Sequence, residues 1–166
     1  MTREETLEFL EATPGWLEDV AAAIGEDRER SAGPEGAFSL VEHAWHLADL
    51  EREGFGERIR RLRDEERPYL PDFDGARVAR ERGYRSLPLG PAIAAFALER
   101  FANLASLRAL DEEGWERAGE QEGVGPLRLS DLPRMMADHD TAHRAEIEAL
   151  ARALAAPSNT LDIPSP

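Results

Sequence analysis

The chain has 166 residues, and its 34 acidic residues outnumber its 20 basic residues, which leaves a formal net charge of −14 at pH 7. This negative charge disfavours nucleic acids and anionic membrane surfaces as partners. Cysteine is absent, which excludes disulfides, cysteine nucleophiles and thiolate ligands, so a transition metal here needs His, Asp or Glu. No apolar run approaches the ~18 residues that span a bilayer, and the acidic N-terminus does not resemble a signal peptide. We therefore expect a cytoplasmic protein.

The spacing of apolar residues is helical along nearly the whole chain. The first predicted helix begins at a capping box formed by Thr2 and Glu5, and its apolar positions continue to Ile24. The dipeptide Thr13-Pro14 predicts a kink or a restart, because proline lacks a backbone donor and suits the first turn of a helix that threonine caps. Polar residues and glycines between 25 and 37 then predict a loop.

A second capping box, Ser39 with Glu42, begins a helix that is predicted to continue to about Arg63. The following segment, 67–90, contains three prolines and three glycines. It predicts a long connection with a short helix near 76–82. A connection of this kind is typical of a crossover in a helical bundle.

The last two long helices follow this connection. One is predicted over about 91–111, and the residues after it, 114–129, are predicted to form a loop. The final helix is predicted to begin with Ser130 as its cap and to continue to about Ala155.

Four long helices predict an all-α fold, namely a four-helix bundle with at least one long crossover. No linker or internal repeat divides the chain, so one domain is predicted over residues 1–156. The Pro- and Ser-rich residues 157–166 are predicted to form a flexible tail.

All four histidines fall in two close pairs, each on a predicted long helix. His43 and His46 are three residues apart, whereas His139 and His143 are four apart. On a helix these spacings separate side chains by about 60° and about 40°, so each pair can face the interior together. An i,i+4 pair can present two imidazoles to one ion, and a third His from a facing helix would complete a three-His face with open positions.

Spacing alone leaves two interpretations of the histidines open. They bind a divalent ion that activates a water or a thiol, or they pack in the core as neutral, hydrogen-bonded residues without metal. Four acidic residues flank the histidines and could accept hydrogen bonds from ligand imidazoles, namely Asp49, Asp138, Asp140 and Glu146.

Several short motifs, taken in order, resemble the DinB/YfiT-like superfamily. Phe38-Ser39 leads into a helix that carries His46-Leu47-Ala48-Asp49, and the final helix carries His-x-x-x-His followed by Ile147. The segment Leu110–Trp115 is similar to the one that precedes the final helix in that superfamily. Each motif is short, so it is their order and spacing over nearly the whole chain that carry the resemblance.

The resemblance implies a four-helix bundle with one divalent ion, commonly nickel or zinc, on a three-His site. The ligands that it implies are His46, His139 and His143. His43 is an additional histidine near this site, and Glu146 stands where relatives often have glutamine.

The resemblance also implies a class of function. Relatives include S-transferases that use low-molecular-weight thiols, a maleylpyruvate isomerase type and metal-dependent hydrolases. We therefore expect a metal-dependent transferase or hydrolase whose partner is a small molecule, with a low-molecular-weight thiol as cosubstrate in the transferase case. A homodimer is also expected, because relatives often pair. The alternative is a bundle that binds metal without catalysis, or one with a structural or interaction role.

Overall fold

The computed structural model describes residues 1–156, so the predicted tail at 157–166 lies outside the described residues. The helices are α1 (Arg3–Ile24), α2 (Leu40–Asp49), α3 (Glu57–Asp64), α4 (Gly75–Arg82), α5 (Leu89–Arg108), α6 (Glu112–Trp115) and α7 (Leu132–Ala155). A π-helical segment, Leu50–Gly56, joins α2 to α3, and 3₁₀ turns lie at Pro34–Gly36, Tyr84–Ser86 and Leu129–Asp131. The strands are β1 (Tyr69–Leu70), β2 (Ala118–Gln121) and β3 (Gly125–Arg128). Within residues 1–156, none of the helices is both long and apolar enough to cross a membrane.

The predicted four-helix bundle with a long crossover is confirmed. Helix α1 packs against α5 and α7, and α2 packs against the same two helices. The crossover is the connection between α3 and α5, which contains β1 and α4. Apolar side chains fill two core clusters, one that includes Leu10, Leu62, Leu104 and Met136, and one that includes Leu17, Leu47, Phe96 and Ile147.

Local sequence signals correctly predict the start of the first two long helices. Thr2 and Glu5 form the capping box of α1, and Ser39 and Glu42 form that of α2. The prediction that Ser130 caps the last helix is wrong. The chain there makes a 3₁₀ turn that contains Ser130, so the helix begins after this turn and has no side-chain cap.

The helix does not restart at Thr13-Pro14, because α1 continues through this dipeptide, and the kink predicted there stays a prediction. Pro14 has no N–H group, so the carbonyl of Leu10 loses its helical partner. The guanidinium of Arg100 replaces that partner, since its Nη1 donates to the Leu10 oxygen at 3.0 Å. The hydroxyl of Thr13 donates to the Phe9 carbonyl, so Thr13 belongs to the helix interior. A side chain from α5 therefore supplies the hydrogen bond that Pro14 cannot donate within α1.

The π-helical segment between α2 and α3 turns Glu51 toward the bundle interior. Its wider turn leaves the Glu51 carbonyl accessible, and Nδ2 of Asn103 donates to this oxygen at 2.9 Å and to Oε1 of the same residue at 3.0 Å. A Cβ at Gly56 would stand 2.8 Å from the Glu51 oxygen, so glycine is required for this close approach. The predicted helix to Arg63 is continuous, but its π segment has no simple signal in the sequence.

A buried ion network spans the middle of the bundle. The guanidinium of Arg100, only 1% exposed, donates to Glu51 at 2.9 Å and to both carboxylate oxygens of Asp140 at 2.6 and 3.0 Å. Both carboxylates are equally buried. The network therefore links α5, the π segment and α7 next to His139, where charge without a partner would be very costly.

The loop predicted at 114–129 contains two strands, which corrects the sequence prediction. Strands β2 and β3 form an antiparallel hairpin, and β1 from the crossover pairs in parallel with β2. Gly123 and Gly125 have positive φ values of 74° and 95°, which suit the tight connection. The strands have four residues or fewer, with Gly and Pro among them, so no alternating apolar pattern marks them.

Candidate metal centre

The four histidines meet where α2 faces α7. The Nε2 atoms of His46 and His139 are 3.2 Å apart, and the Nδ1 atoms of His43 and His143 are 3.0 Å apart. The ring centroids of His139 and His143 are separated by 4.4 Å, and those of His46 and His143 by 4.8 Å. Helical spacing places each pair on one face, and the packing of two helices joins the pairs into one cluster.

Three of these histidines have the geometry of a metal-ligand set. One ring nitrogen from each of His46, His139 and His143 can be chosen so that all three lie within 4.8 Å of one another. Two nitrogens at about 2.0–2.1 Å from one tetrahedral ion stand roughly 3.3 Å apart, which is close to the 3.2 Å between His46 and His139. All three side chains are half-buried, and imidazole nitrogen is a ligand that suits zinc and nickel. The residues present therefore fit a divalent ion.

Glu146 lies at the edge of the cluster, next to His143 and His43. The carboxylate Oε2 of Glu146 lies 3.1 Å from Nδ1 of His143 and 3.8 Å from Nδ1 of His43. These three residues form a second group that could hold an ion, and it shares His143 with the first. The Glu146 side chain is 58% exposed, so this edge of the cluster faces solvent.

Of the four flanking acidic residues, Glu146 is the one that contacts a histidine within the described part of the chain. Asp49 instead accepts hydrogen bonds from two side chains of the crossover, Arg82 and Tyr84. Asp138 and Asp140 each pair with an arginine. The Asp49 of the His-Leu-Ala-Asp motif therefore attaches the crossover to α2, beside His46.

The residues that cover His46 come from segments to which the sequence analysis assigned no such role. The rings of Phe38 and Phe73 lie 6.0 and 6.3 Å from the His46 ring, measured between centroids. A Cβ at Gly75, the first residue of α4, would stand 2.4 Å from Cε1 and 2.7 Å from Nδ1 of His46. Nδ1 of His46 is buried and has no hydrogen-bond partner among residues 1–156. The backbone at Gly75 therefore limits where the His46 ring can lie.

Substituting Gly75 by alanine is expected to weaken metal binding by roughly 10–100-fold, the usual effect of disturbing a residue that orients a ligand. The new methyl group would displace the His46 ring, because it would overlap Cε1. Competition with a chromogenic zinc chelator measures the change in affinity. Alanine has the higher helix propensity, so a loss of affinity without a loss of helix content would locate the effect at His46.

Gly90 provides the matched control for this substitution. It also lies at the start of a helix, α5, and a Cβ there would meet nothing within 4 Å. The Gly90→Ala variant should therefore bind metal as the unaltered protein does. Equal affinities for the two variants would show that Gly75 does not position His46.

Burial keeps the histidines neutral, because it lowers their pKa values. Burial lowers the pKa of His43 to about 3, and nearby His143 and His46 add to the effect. Burial and then His143 lower the pKa of His46 to about 4, although a nearby carboxylate acts in the opposite direction. Burial, the neighbouring imidazoles and two arginines lower the pKa of His139 to about 2. Burial also lowers the pKa of His143, and Glu146 opposes that change. Neutral rings have the lone pairs that a metal needs.

The metal-free protein is expected to lose stability as the pH falls below about 6.5, the pKa of an exposed histidine. The unfolded chain binds protons from that pH downward, whereas folded His43, His46 and His139 resist protonation until about pH 2–4. The stability that the buried neutral histidines contribute is therefore fully present above the pKa of the unfolded chain. It is lost as the pH falls toward the pKa values of the folded protein, by up to about 1.4 kcal/mol per group and pH unit. Urea unfolding in chelator at about pH 7.5 and about pH 5 measures it. The His43→Gln variant should show a smaller difference in the free energy of unfolding between the two pH values. An equal difference would show that buried His43 does not cause the loss of stability.

The sequence and the fold of this protein are similar to those of known proteins. A sequence model described as the DinB superfamily matches residues 1–147. The protein belongs to the DinB superfamily. This membership confirms the resemblance found in the sequence motifs.

A solved structure of YfiT from Bacillus subtilis has the same fold as this DinB-superfamily protein. The TM-score is 0.83 at 18% sequence identity, and the match covers 92% of this chain and 87% of the other. That protein is described as a probable metal-dependent hydrolase with an unusual four-helix bundle topology. No curated protein matches the sequence.

Proposed function

We propose that this DinB-superfamily protein is a metal-dependent enzyme and that His46, His139 and His143 bind its divalent ion. The observation that carries the proposal is the convergence of three neutral imidazoles from two facing helices, with ligand nitrogens within 4.8 Å of one another. Superfamily membership supports it, as does the shared fold with a protein described as a probable metal-dependent hydrolase.

The surrounding residues have defined roles in this proposal. If Nδ1 of His143 donates its proton to Oε2 of Glu146, the lone pair on Nε2 of His143 is free for the ion. Phe38 and Phe73 shield His46, and Gly75 limits the movement of its ring. A divalent ion held there would lower the pKa of a water or thiol ligand and would polarise an electrophile.

Two reaction classes follow from this chemistry, hydrolysis with water as the nucleophile and S-transfer with a low-molecular-weight thiol. The substrate in either case is proposed to be a small molecule. Nickel and zinc are the proposed ions, because both accept imidazole nitrogen. The homodimer, the cytoplasmic location and a single domain over residues 1–156 stay predictions.

Elemental analysis of protein purified without an affinity tag tests the metal part of the proposal. About one zinc or nickel ion per chain is expected, since three protein ligands with one open position are the usual set for a single catalytic ion. A content below about a tenth of an ion per chain, even after incubation with both metals, would refute the three-His site.

Turnover by the metal-loaded protein tests the enzymatic part. A panel of esters and amides detects hydrolysis, and a panel of thiols with electrophiles detects S-transfer. Activity should disappear on chelation and return with the metal. Stoichiometric metal without turnover in any panel would favour the alternative, a bundle that binds metal without catalysis.

A further inference from the structure

Arg58 is a buried cation with few partners. The residue is 6% exposed, and its Nε has no hydrogen-bond partner among residues 1–156. Its nearest carboxylate oxygen is Oδ1 of Asp72 at 3.7 Å, which is beyond hydrogen-bond distance. Arg100, by contrast, donates to two buried carboxylates and a carbonyl. A guanidinium that is mostly buried, with its Nε unpaired and its one ion pair at 3.7 Å, is costly in free energy.

The guanidinium of Arg58 lies against Phe55, an aromatic residue that contacts the histidine cluster. Its Cζ is 5.4 Å from the ring centroid of Phe55, and that ring meets the His139 ring edge-on at 6.0 Å. The Phe55 ring therefore links the weakly paired Arg58 guanidinium to His139, one of the proposed metal ligands.

The present partner of Arg58 lies at the protein surface. The Asp72 side chain is 63% exposed and belongs to the short irregular segment 71–74 of the crossover. The next residue, Phe73, covers His46. A carboxylate that approached Arg58 to about 2.7–2.9 Å would make the shorter, charge-assisted hydrogen bonds that Asp72 does not make.

We propose that Arg58 binds the oxyanion group, carboxylate or phosphate, of the small molecule that reacts at the histidine cluster, and that Asp72 occupies this position until the molecule displaces it. This inference rests on the proposed function and adds a substrate class to it. The planar guanidinium of arginine can donate two parallel hydrogen bonds to either oxyanion. Arg58 thereby selects acidic substrates, whereas the histidines hold the ion.

Hydroxamates with different tails test this selection on the zinc-loaded protein. Acetohydroxamate has an uncharged tail, and the monohydroxamates of malonate, succinate and glutarate have a carboxylate at three distances. Calorimetry should show that at least one of the hydroxamates with a carboxylate tail binds about tenfold or more tightly than acetohydroxamate. A hydrogen bond to a charged group contributes a free energy of about this size. The Arg58→Met variant should lose this preference and keep its affinity for acetohydroxamate. An unchanged preference in Arg58→Met would overturn the proposal.

Two further variants make the test independent of the folding of Arg58→Met. Asp72→Asn removes the competing carboxylate from an exposed position, so it should strengthen the binding of the carboxylate tails by about threefold or more. Arg60→Met is the matched control, because Arg60 is on the same helix but exposed and paired with Glu57 at 2.7 Å. It should bind all probes as the unaltered protein does. Weaker binding by Asp72→Asn would also overturn the proposal.

A measurement without metal separates this proposal from the proposed function. In chelator, succinate or phosphate should raise the melting temperature more than chloride at equal ionic strength, and Arg58→Met should reduce this difference to the general stabilisation that such anions give to any folded protein. The stronger of the two anions identifies the oxyanion. If no metal binds but the anion effect is found, the proposed function fails and the role of Arg58 stands. If metal binds but neither the anion effect nor the tail preference is found, the role of Arg58 is refuted.

Discussion

Replacement of His46, His139 or His143 by alanine is expected to abolish tight metal binding, with a loss in affinity of about 100-fold or more for each variant. Each change removes one of three protein ligands and, with it, the coordination geometry. Titration of the chelated protein with zinc and with nickel measures the affinities. Because the alanine variants leave a small cavity, their helix content and melting in chelator should be compared with those of the unaltered protein.

His43→Ala is the matched control for these variants. His43 is buried in the same cluster, but its Nδ1 faces Nδ1 of His143 and not the group formed by His46 and His139. Its removal should therefore weaken metal binding far less. If His43 is essential and His46 dispensable, the ion occupies the alternative group with His143 and Glu146, and the assignment of the site is wrong by one turn of α2.

Arg100→Met is expected to lower the free energy of unfolding by about 3–5 kcal/mol, the usual result when one partner of a buried ion pair is removed. The change would leave Glu51 and Asp140 without their cation, and both are 1% exposed. It would also leave the Leu10 carbonyl without a hydrogen-bond donor, because Pro14 has no N–H group to donate to it. Urea unfolding near neutral pH in the presence of chelator measures the loss.

Two comparisons separate this effect from a general loss of charge. Arg108 is on the same helix and pairs with Glu11 at 2.8 Å, but its side chain is 36% exposed. The Arg108→Met variant should lose less than about 1 kcal/mol. Combining Arg100→Met with Glu51→Leu and Asp140→Leu should recover part of the stability, because the stranded carboxylates are then absent. A loss below about 1 kcal/mol in Arg100→Met would contradict the role of the network.

Arg58 and Arg100 have opposite expected effects on stability, although both are buried. Arg100 has a full set of acceptors, whereas Arg58 has one distant carboxylate. Replacing a weakly paired buried charge by an apolar side chain of similar size is often neutral or stabilising. The Arg58→Met variant should therefore melt no lower than the unaltered protein in chelator, which would be the pattern of a residue kept for binding.

Local patterns explain why the helices could be predicted from the sequence. The capping boxes at Thr2 and Ser39 each depend on residues three positions apart, and the apolar stripes depend on the helical period. An equally local rule predicts a kink or a restart at Pro14, and the helix does not restart there. The hydrogen bond that the Leu10 carbonyl loses is supplied by Arg100, which is 90 residues away along the chain. The short strands were missed because four residues carry too little pattern.

The sequence by itself determined that each pair of histidines would lie on one face of its helix, because the helical period places residues three and four apart on the same side. Only the tertiary structure decided that His46 meets His139, that His43 meets His143, and that Gly75 lies against His46. Those contacts depend on how α2 packs on α7 and on the path of the crossover. The same is true of the weak pairing of Arg58, because desolvation and the distance to Asp72 are properties of the folded chain. Contacts between residues far apart in sequence leave no periodic signal in one chain, since each is formed by the packing of whole helices.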